Sequence, residues 1–351
     1  MFFRRVFKGL VGAASVAVIA VAVINFLPIG NISTLLQSEE ITGPINSLSG
    51  RSGNDGPVLA VKIDDTEQAH PQAGLEDADI VYIEQVEGGL TRLAAIFSST
   101  IPKVIGPVRS ARISDIEILE QFGRVAFAYS GAQKKLLPVI AEANVINLGA
   151  QRQSPLIYTT DPLRRSPTAM MLQAQDLMAN VAEEQLPIAI SKSIGWSFGE
   201  KPDTGTAVSG VKVSWPAHSY NATWSSLENR WLLSYKDKPN LSASGVHLGP
   251  TTFVIQLVSI TDSIYRDKVG GVTPYSETVG TGKGYVMRDG LAIAANWSRP
   301  SGDQGTTWTT ASGDEIKFAA GQVWIALTDR APVFTPVAVA NKEDATPPSA
   351  K

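Results

Sequence analysis

The sequence predicts an α+β protein: an N-terminal α/β layer domain, then an all-β domain, the whole preceded by one transmembrane helix. Three observations predict this. Strand-like and helical segments alternate from residue 57 to about 185; helical periodicity vanishes after about 208; and an uncharged apolar run, Gly9 to Leu27, follows Arg4, Arg5 and Lys8. The length of 351 residues suits two folded domains.

The apolar run matches the roughly 20 residues needed to cross a bilayer. Basic residues before it hold the N-terminus inside and send the bulk of the chain out. A cleaved signal peptide is the competing reading, because Ala20 and Ala22 offer a small-x-small site. Its length favours an uncleaved, single-pass anchor over residues 1–28. Residues 29–56, rich in Ser, Gly and Asn, read as a flexible tether.

From Pro57, strands are expected at Val58–Ile63, Ile80–Ile83, Leu93–Phe97 and Val125–Tyr129. Helices are expected around Ile113–Phe122, with Ser114 and Glu117 as a capping box, and over 136–143 and 169–181. Residues 186–207 read as a linker. The second domain, 208–330, carries strand signals at Trp231–Tyr235, Phe253–Val258, Gly284–Met287, Ala292–Ala294 and Val323–Leu327. Arg288-Asp289-Gly290 is a hairpin signal. The tail from Ala331, with four prolines, reads as disordered.

Composition excludes several functions. There is no cysteine, so disulfides, thiolate catalysis, Cys-ligated zinc and lipid attachment to a lipobox cysteine are unavailable. Three histidines, His70, His218 and His247, make no H-E-x-x-H motif. A net charge of −3 argues against nucleic acid as partner. No cofactor and no metal are expected.

Chemistry is concentrated between Lys62 and Arg112. Asp64 and Asp65 end a strand, where carboxylates ligate a hard cation or, more commonly, cap a turn. If Gly88-Gly89 is a two-residue turn, Glu87 pairs with Leu90 and lies diagonally across from Arg92, while Glu84 points to the other face. His70 sits in a polar loop before Pro71, where it can act as acid or base or be held by local hydrogen bonds, and Gln72 follows. Arg109-Ser110-Ala111-Arg112 stands just before the first helix, so its cations oppose the helix macrodipole. Either an internal ion-pair network or a bound anion must compensate them. The six tryptophans from Trp215 to Trp324 are either a carbohydrate-stacking face or, more commonly in β-domains, core. Gly280-Thr281-Gly282-Lys283-Gly284 lacks phosphate-loop spacing and reads as a β-turn.

Several segments resemble the YerB-like lipoprotein family of Gram-positive bacteria, whose function is uncharacterised. They are Pro57–Ile63, Pro71–Tyr82, Glu87-Gly88-Gly89-Leu90-Thr91-Arg92 and Gly106–Arg112 in the first half. In the second half they are Gly280–Gly284, Asn296–Ser301 and Ala320–Ile325. The resemblance implies a two-module, surface-exposed envelope protein and supplies no catalytic residue. Three departures stand out: no lipobox cysteine, His70 where the family usually has Arg, and Ser166-Pro167-Thr168-Ala169 where it often has Pro-His-Asn. The expected function is a membrane-anchored extracytoplasmic binding or scaffold protein of the cell envelope, recognising an anionic or saccharide wall polymer near Arg109 and Arg112. The alternative is a wall hydrolase using a carboxylate such as Glu84 or Asp65 with His70 or a water.

Overall fold

The first expected strand, Val58–Ile63, forms almost as read. β1 (Leu59–Asp64), β2 (Ile80–Gln85) and β3 (Thr91–Phe97) are central strands, buried along nearly their whole length. Such strands carry near-continuous apolar runs because both faces are covered. In this computed structural model residues 43–337 are described. The expected anchor, the first part of the tether and the end of the tail lie outside the described residues. Among the described residues no helix is long and apolar enough to cross a membrane.

The remaining elements of the first half are β4 (Val104–Ile105), α1 (Ile113–Glu120), β5 (Val125–Ala128), α2 (Leu137–Glu142), β6 (Val145–Asn147), β7 (Tyr158–Thr160), β8 (Met170–Gln173) and α3 (Ala174–Glu183). The second half is all strand: β9 (Thr206–Ser214), β10 (Ser219–Ser225), β11 (Arg230–Tyr235), β12 (Lys238–Pro239), β13 (Thr252–Leu257) and β14 (Ile260–Arg266) come first. β15 (Val272–Ser276), β16 (Gly280–Arg288), β17 (Leu291–Arg299), β18 (Thr307–Thr309), β19 (Val323–Thr328) and β20 (Val333–Pro336) follow. The protein is thus mostly β with few helices.

One large sheet runs β12-β11-β10-β9-β17-β16-β13-β19-β2-β3-β1-β5-β6, with β18 on β17 and β20 on β9. β19 pairs in parallel with β2, so strands of both halves share one hydrogen-bonded ladder. The described chain from Pro44 onward is accordingly one compact unit, across the 186–207 stretch expected as a linker. β14 and β15 form a separate hairpin, and β4, β8 and β7 a small sheet.

Each face of the sheet carries its own core. Leu59, Val61, Ile63, Leu93 and Phe253 lie in one, with Trp215, Trp231 and Trp324. Ala60, Tyr82, Ile96, Trp297 and Trp308 lie in the other, beneath Ile118 and Leu119 of α1. Five of the six tryptophans in question are thus buried core.

Several expectations are corrected. Residues 44–56 are no free tether: Asn46, Leu48 and Ser49 are buried, and Ser49 Oγ donates to Asp79 at 2.6 Å. Val333–Pro336, expected in the disordered tail, pairs with β9. The helix expected from 169 starts at Ala174, because Met170–Gln173 pairs with β4 and β7. Gly280–Gly284 is strand, not turn: a Cβ on Gly282 would lie 2.6 Å from Trp297 Nε1, and one on Gly284 would meet the Ile255 carbonyl. The glycines let an indole and a neighbouring strand approach. Asp289 and Gly290, at φ 51° and 73°, make the expected β16–β17 hairpin.

The Gly88-Gly89 turn also differs. Val86 N–H donates to Leu90 O at 2.8 Å, closing a longer loop. Glu84 therefore pairs with Arg92 and Gln85 with Thr91, one residue out of the expected register. A one-residue slip moves a side chain to the opposite face, so Glu84 shares a face with Arg92 rather than opposing it. Gly88 and Gly89 both have φ near +70°, but only Gly89 is crowded, its hypothetical Cβ lying 2.5 Å from Pro216 Cβ. Gly89→Ala is expected to cost more than about 2 kcal/mol, combining backbone strain with the clash, and Gly88→Ala about 1 kcal/mol. Denaturant titration of both variants checks this; equal losses would refute the role of Pro216.

Candidate functional site

β1, β2, β3, the β2–β3 loop and the segment leading into α1 bring eight ionisable side chains together. Alternation places Lys62 and Asp64 of β1, Glu84 of β2 and Arg92 of β3 on one face of the sheet, with Arg92 opposite both Asp64 and Glu84. Lys62 is wholly buried; its Nζ contacts Glu84 Oε1 and lies 2.7 Å from Asp115 Oδ1. Burial, helped by repulsion from Asp115, raises Glu84 to about 7.

α1 is capped otherwise than expected. Arg112 is its N-cap, and Asp115 Oδ2 accepts the Arg112 N–H at 2.7 Å. Ser114 Oγ accepts from Ser276 N–H, and Glu117 Oε1 from Thr278 and Val279 N–H, so both tie β15 and the following turn to the helix.

The arginines compensate one another's surroundings unequally. Arg112 Nε lies 2.8 Å from Glu87 Oε1, and Glu87 also accepts from Thr273 Oγ1. Burial works to raise Glu87, but the Arg112 charge and the hydrogen bonds outweigh it and hold the carboxyl low. The expected Glu87–Arg92 pair is therefore replaced by Glu87–Arg112. Arg109 Nε stands 2.8 Å from Asp64 Oδ2 without the alignment of a hydrogen bond, and neither atom has another partner. Asp64 Oδ1 accepts from Thr66 N–H at 2.9 Å, the turn-capping role expected of it. Arg92 Nη1 donates to Ser110 O at 2.8 Å, and among the described residues no carboxylate lies at ion-pair distance from it. Burial, with repulsion from Arg112 and Arg109, pushes Arg92 down to about 9.

Arg92, Arg109, Ser110, Arg112 and Glu87 line a pocket of about 450 Å³, together with Asp267, Lys268 and Val269 at the tip of the β14–β15 hairpin. Glu84 is sealed below it and does not reach it.

Asp65, His70 and Gln72 form a second cluster, because Asp65 points to the opposite face from Asp64. Asp65 accepts from Thr91 Oγ1 and Tyr220 OH, both at 2.5 Å, and from Gln72 Nε2 at 3.4 Å. His70 Nε2 lies 3.5 Å from one of its oxygens and His218 Nε2 3.6 Å from the other. Burial works to raise Asp65, yet the hydrogen bonds and the two imidazoles hold it below the usual carboxylate range. Burial lowers His218 against the pull of Asp65. His70 Nδ1 lies 3.1 Å from Asn240 Oδ1, and its ring packs 4.0 Å from that of Tyr235.

Sequence reasoning did not single out Lys62, Thr273 or Tyr220. Lys62 carried a signal, as the one charge in an apolar strand. Thr273 and Tyr220 carried none, since they meet their partners across 186 and 155 positions.

Comparison with known proteins follows this architecture. Two family models match: "Protein of unknown function (DUF3048) N-terminal domain" over residues 42–187, and its C-terminal domain over 211–325. A curated relative, "Putative lipoprotein YerB" of Bacillus subtilis (strain 168), is 40% identical over 81 residues, 22% of this chain and 24% of that protein. The matched stretch thus spans about a quarter of the relative's length. The crystal structure of YerB protein from Bacillus subtilis superposes with a TM-score of 0.70 at 19% identity, covering 83% of this chain and 99% of that one.

The raised pKa of Glu84 gives a pH prediction. The native state keeps a proton that the unfolded chain releases, from an ordinary value of 4.5 up to about 7. This group's stabilising effect is full below 4.5 and is lost as pH rises through 7. Glu84→Gln should flatten the fall in stability between about pH 5 and 7; an unchanged slope in urea titrations across that range would count against it.

Proposed function

The chain belongs to the YerB-like family of DUF3048 proteins, and we propose that it is a membrane-anchored, extracytoplasmic binding protein of the cell envelope that receives an anionic group of a wall component in the arginine pocket. The observation that carries this reading is the convergence of Arg92, Arg109 and Arg112 on one pocket. Guanidinium forks suit phosphate and carboxylate oxygens. Among the described residues Arg92 has only a backbone carbonyl as partner, and its neighbours' charges disfavour its own. An anion in the pocket relieves that repulsion. Arg109, with its side chain 24% exposed, is the most accessible of the three.

The hydrolase alternative draws less support. Glu84 is sealed under the pocket, and the Asp65 carboxylate is already filled by a threonine and a tyrosine hydroxyl.

Anchoring is supported by the Gly9–Leu27 run behind three basic residues. The relative is named a lipoprotein; this chain has no cysteine to lipidate, so the apolar run takes that role.

Two measurements test the proposal. Calorimetric titration of the full chain in detergent with inorganic phosphate and with anionic wall fragments should show binding that weakens with salt. Arg109→Ala should weaken it about tenfold or more, as charge-assisted hydrogen bonds are worth ~1.5–3 kcal/mol; affinity indifferent to that substitution would overturn the site. For the anchor, protease added to wall-stripped cells should digest the folded part and leave a short N-terminal fragment in the membrane. A mature protein released into the medium, beginning near Val23, would instead establish cleavage.

A further inference from the structure

The arginine pocket is lined by aliphatic side chains as well as by charge. Val86, Leu90, Ala132, Pro167 and Val269 border it with the three arginines and Lys268. Two of them are large apolar groups left in water: Leu90 is 40% exposed, and Val269, at the β14–β15 tip, 91%. Singly such side chains are ordinary; bordering one cavity together they make an apolar patch beside a cluster of cations. A neighbouring cavity that shares Thr66, Arg109 and Pro167 continues the pattern with Pro71 and the exposed Leu163.

The other polar groups of the pocket are mostly committed elsewhere. Asp267 Oδ1 accepts from Val269 N–H at 2.9 Å and Gly271 N–H at 2.7 Å, so this carboxylate builds the turn that displays Lys268 and Val269. Thr91 Oγ1 donates to Asp65 at 2.5 Å and Gln133 Nε2 to Thr273 Oγ1 at 2.8 Å. Glu87 is paired with Arg112. Asp161, in the neighbouring cavity, accepts from Leu163 N–H at 2.9 Å and pairs with Arg164. Arg92 and the exposed Lys268, by contrast, join no ion pair among the described residues. A ligand therefore meets positive charge and hydrocarbon.

Depth decides how one ligand uses both. Arg92 and Arg112 are buried, so an anion must enter the pocket to reach them, whereas a flat anionic surface would meet chiefly Lys268 and Arg109. A lone phosphate fills only a fraction of about 450 Å³ and leaves Leu90 and Val269 in water. We infer that the ligand is an amphiphilic phosphate, a phosphate ester carrying an aliphatic chain, with its phosphate at Arg92, Arg109 and Arg112 and the first carbons of its chain against Leu90 and Val269. This rests on the anion-binding reading above and names the class of anion. Covering the two side chains with the ligand's own hydrocarbon removes apolar surface from water, in addition to the charge-assisted bonds of the head.

The test uses the full chain in phosphatidylcholine nanodiscs, with empty nanodiscs as the blank, because a detergent is itself an amphiphile. It is titrated with methyl phosphate, hexyl phosphate and hexyltrimethylammonium. Hexyl phosphate should bind about tenfold or more tighter than methyl phosphate, since the added methylenes partly leave water. In the double variant Leu90→Ser, Val269→Ser, both at exposed positions, that ratio should fall to about two or less, while Arg109→Ala should weaken both phosphates. Equal affinity for the two phosphates, or a ratio untouched in the double variant, would overturn the amphiphile inference and leave the anion site standing. Hexyltrimethylammonium binding as tightly as hexyl phosphate would overturn the joint recognition of head and chain. Failure of both phosphates would fell the anion-binding reading itself.

Discussion

The ammonium group of Lys62 holds two carboxylates, Glu84 and Asp115, in a layer that water does not reach, and the arginine pocket is built on top of it. Three buried charges of that kind persist only together. Removing the cation leaves two carboxyl groups facing one another at low dielectric, a loss of several kcal/mol. The value of the trio is positional. Asp115 reaches Lys62 with one oxygen and the Arg112 N–H with the other, so the same carboxylate fixes the sheet, the start of α1 and the backbone at the rim of the pocket. Arg112 is thereby aimed at Glu87, and among the described residues Arg92 is left with a carbonyl as its only partner.

Much of the backbone was legible in the sequence, and the failures have identifiable causes. β1, β2, β5 and β13 announced themselves as apolar runs, and helices stopped where periodicity stopped, before residue 208. β8 failed because Met170–Gln173 has helical neighbours on its C-terminal side and obtains strand partners only through β4 and β7. Glycine-rich Gly280–Gly284 failed because glycine reads locally as a turn, while here it makes room for Trp297 and for β13. At Gly88-Gly89 the dipeptide fitted a two-residue hairpin, yet the loop closes between Val86 and Leu90, which changed the face assigned to Glu84.

The site was legible as a list of residues and illegible as a geometry. All ten candidates cluster near the end of β1, but they divide into two groups because Asp64 and Asp65 point to opposite faces. Arg109, Arg112 and Glu87 share a pocket. Asp65 and His70 share another neighbourhood, completed by Tyr220, His218 and Asn240 from the second half of the chain. No local pattern encodes such partners. They are fixed only once the sheet has closed.

That closure sets an order of assembly. β2 is bordered on one side by β3, its hairpin partner, and on the other by β19; Gln322, just before β19, donates to Leu75 O across 247 positions. A ribosome delivers β2 long before β19. Throughout that interval the Ile80–Ile83 edge has its backbone donors and acceptors open, on a strand whose side chains are all destined for burial, which is the profile of an aggregation-prone edge. The N-terminal half therefore cannot mature as an independent body, even though a family model ends at residue 187. Removing β19 strips the N-terminal half of its neighbour, and the growing polypeptide exposes that edge until the strand arrives.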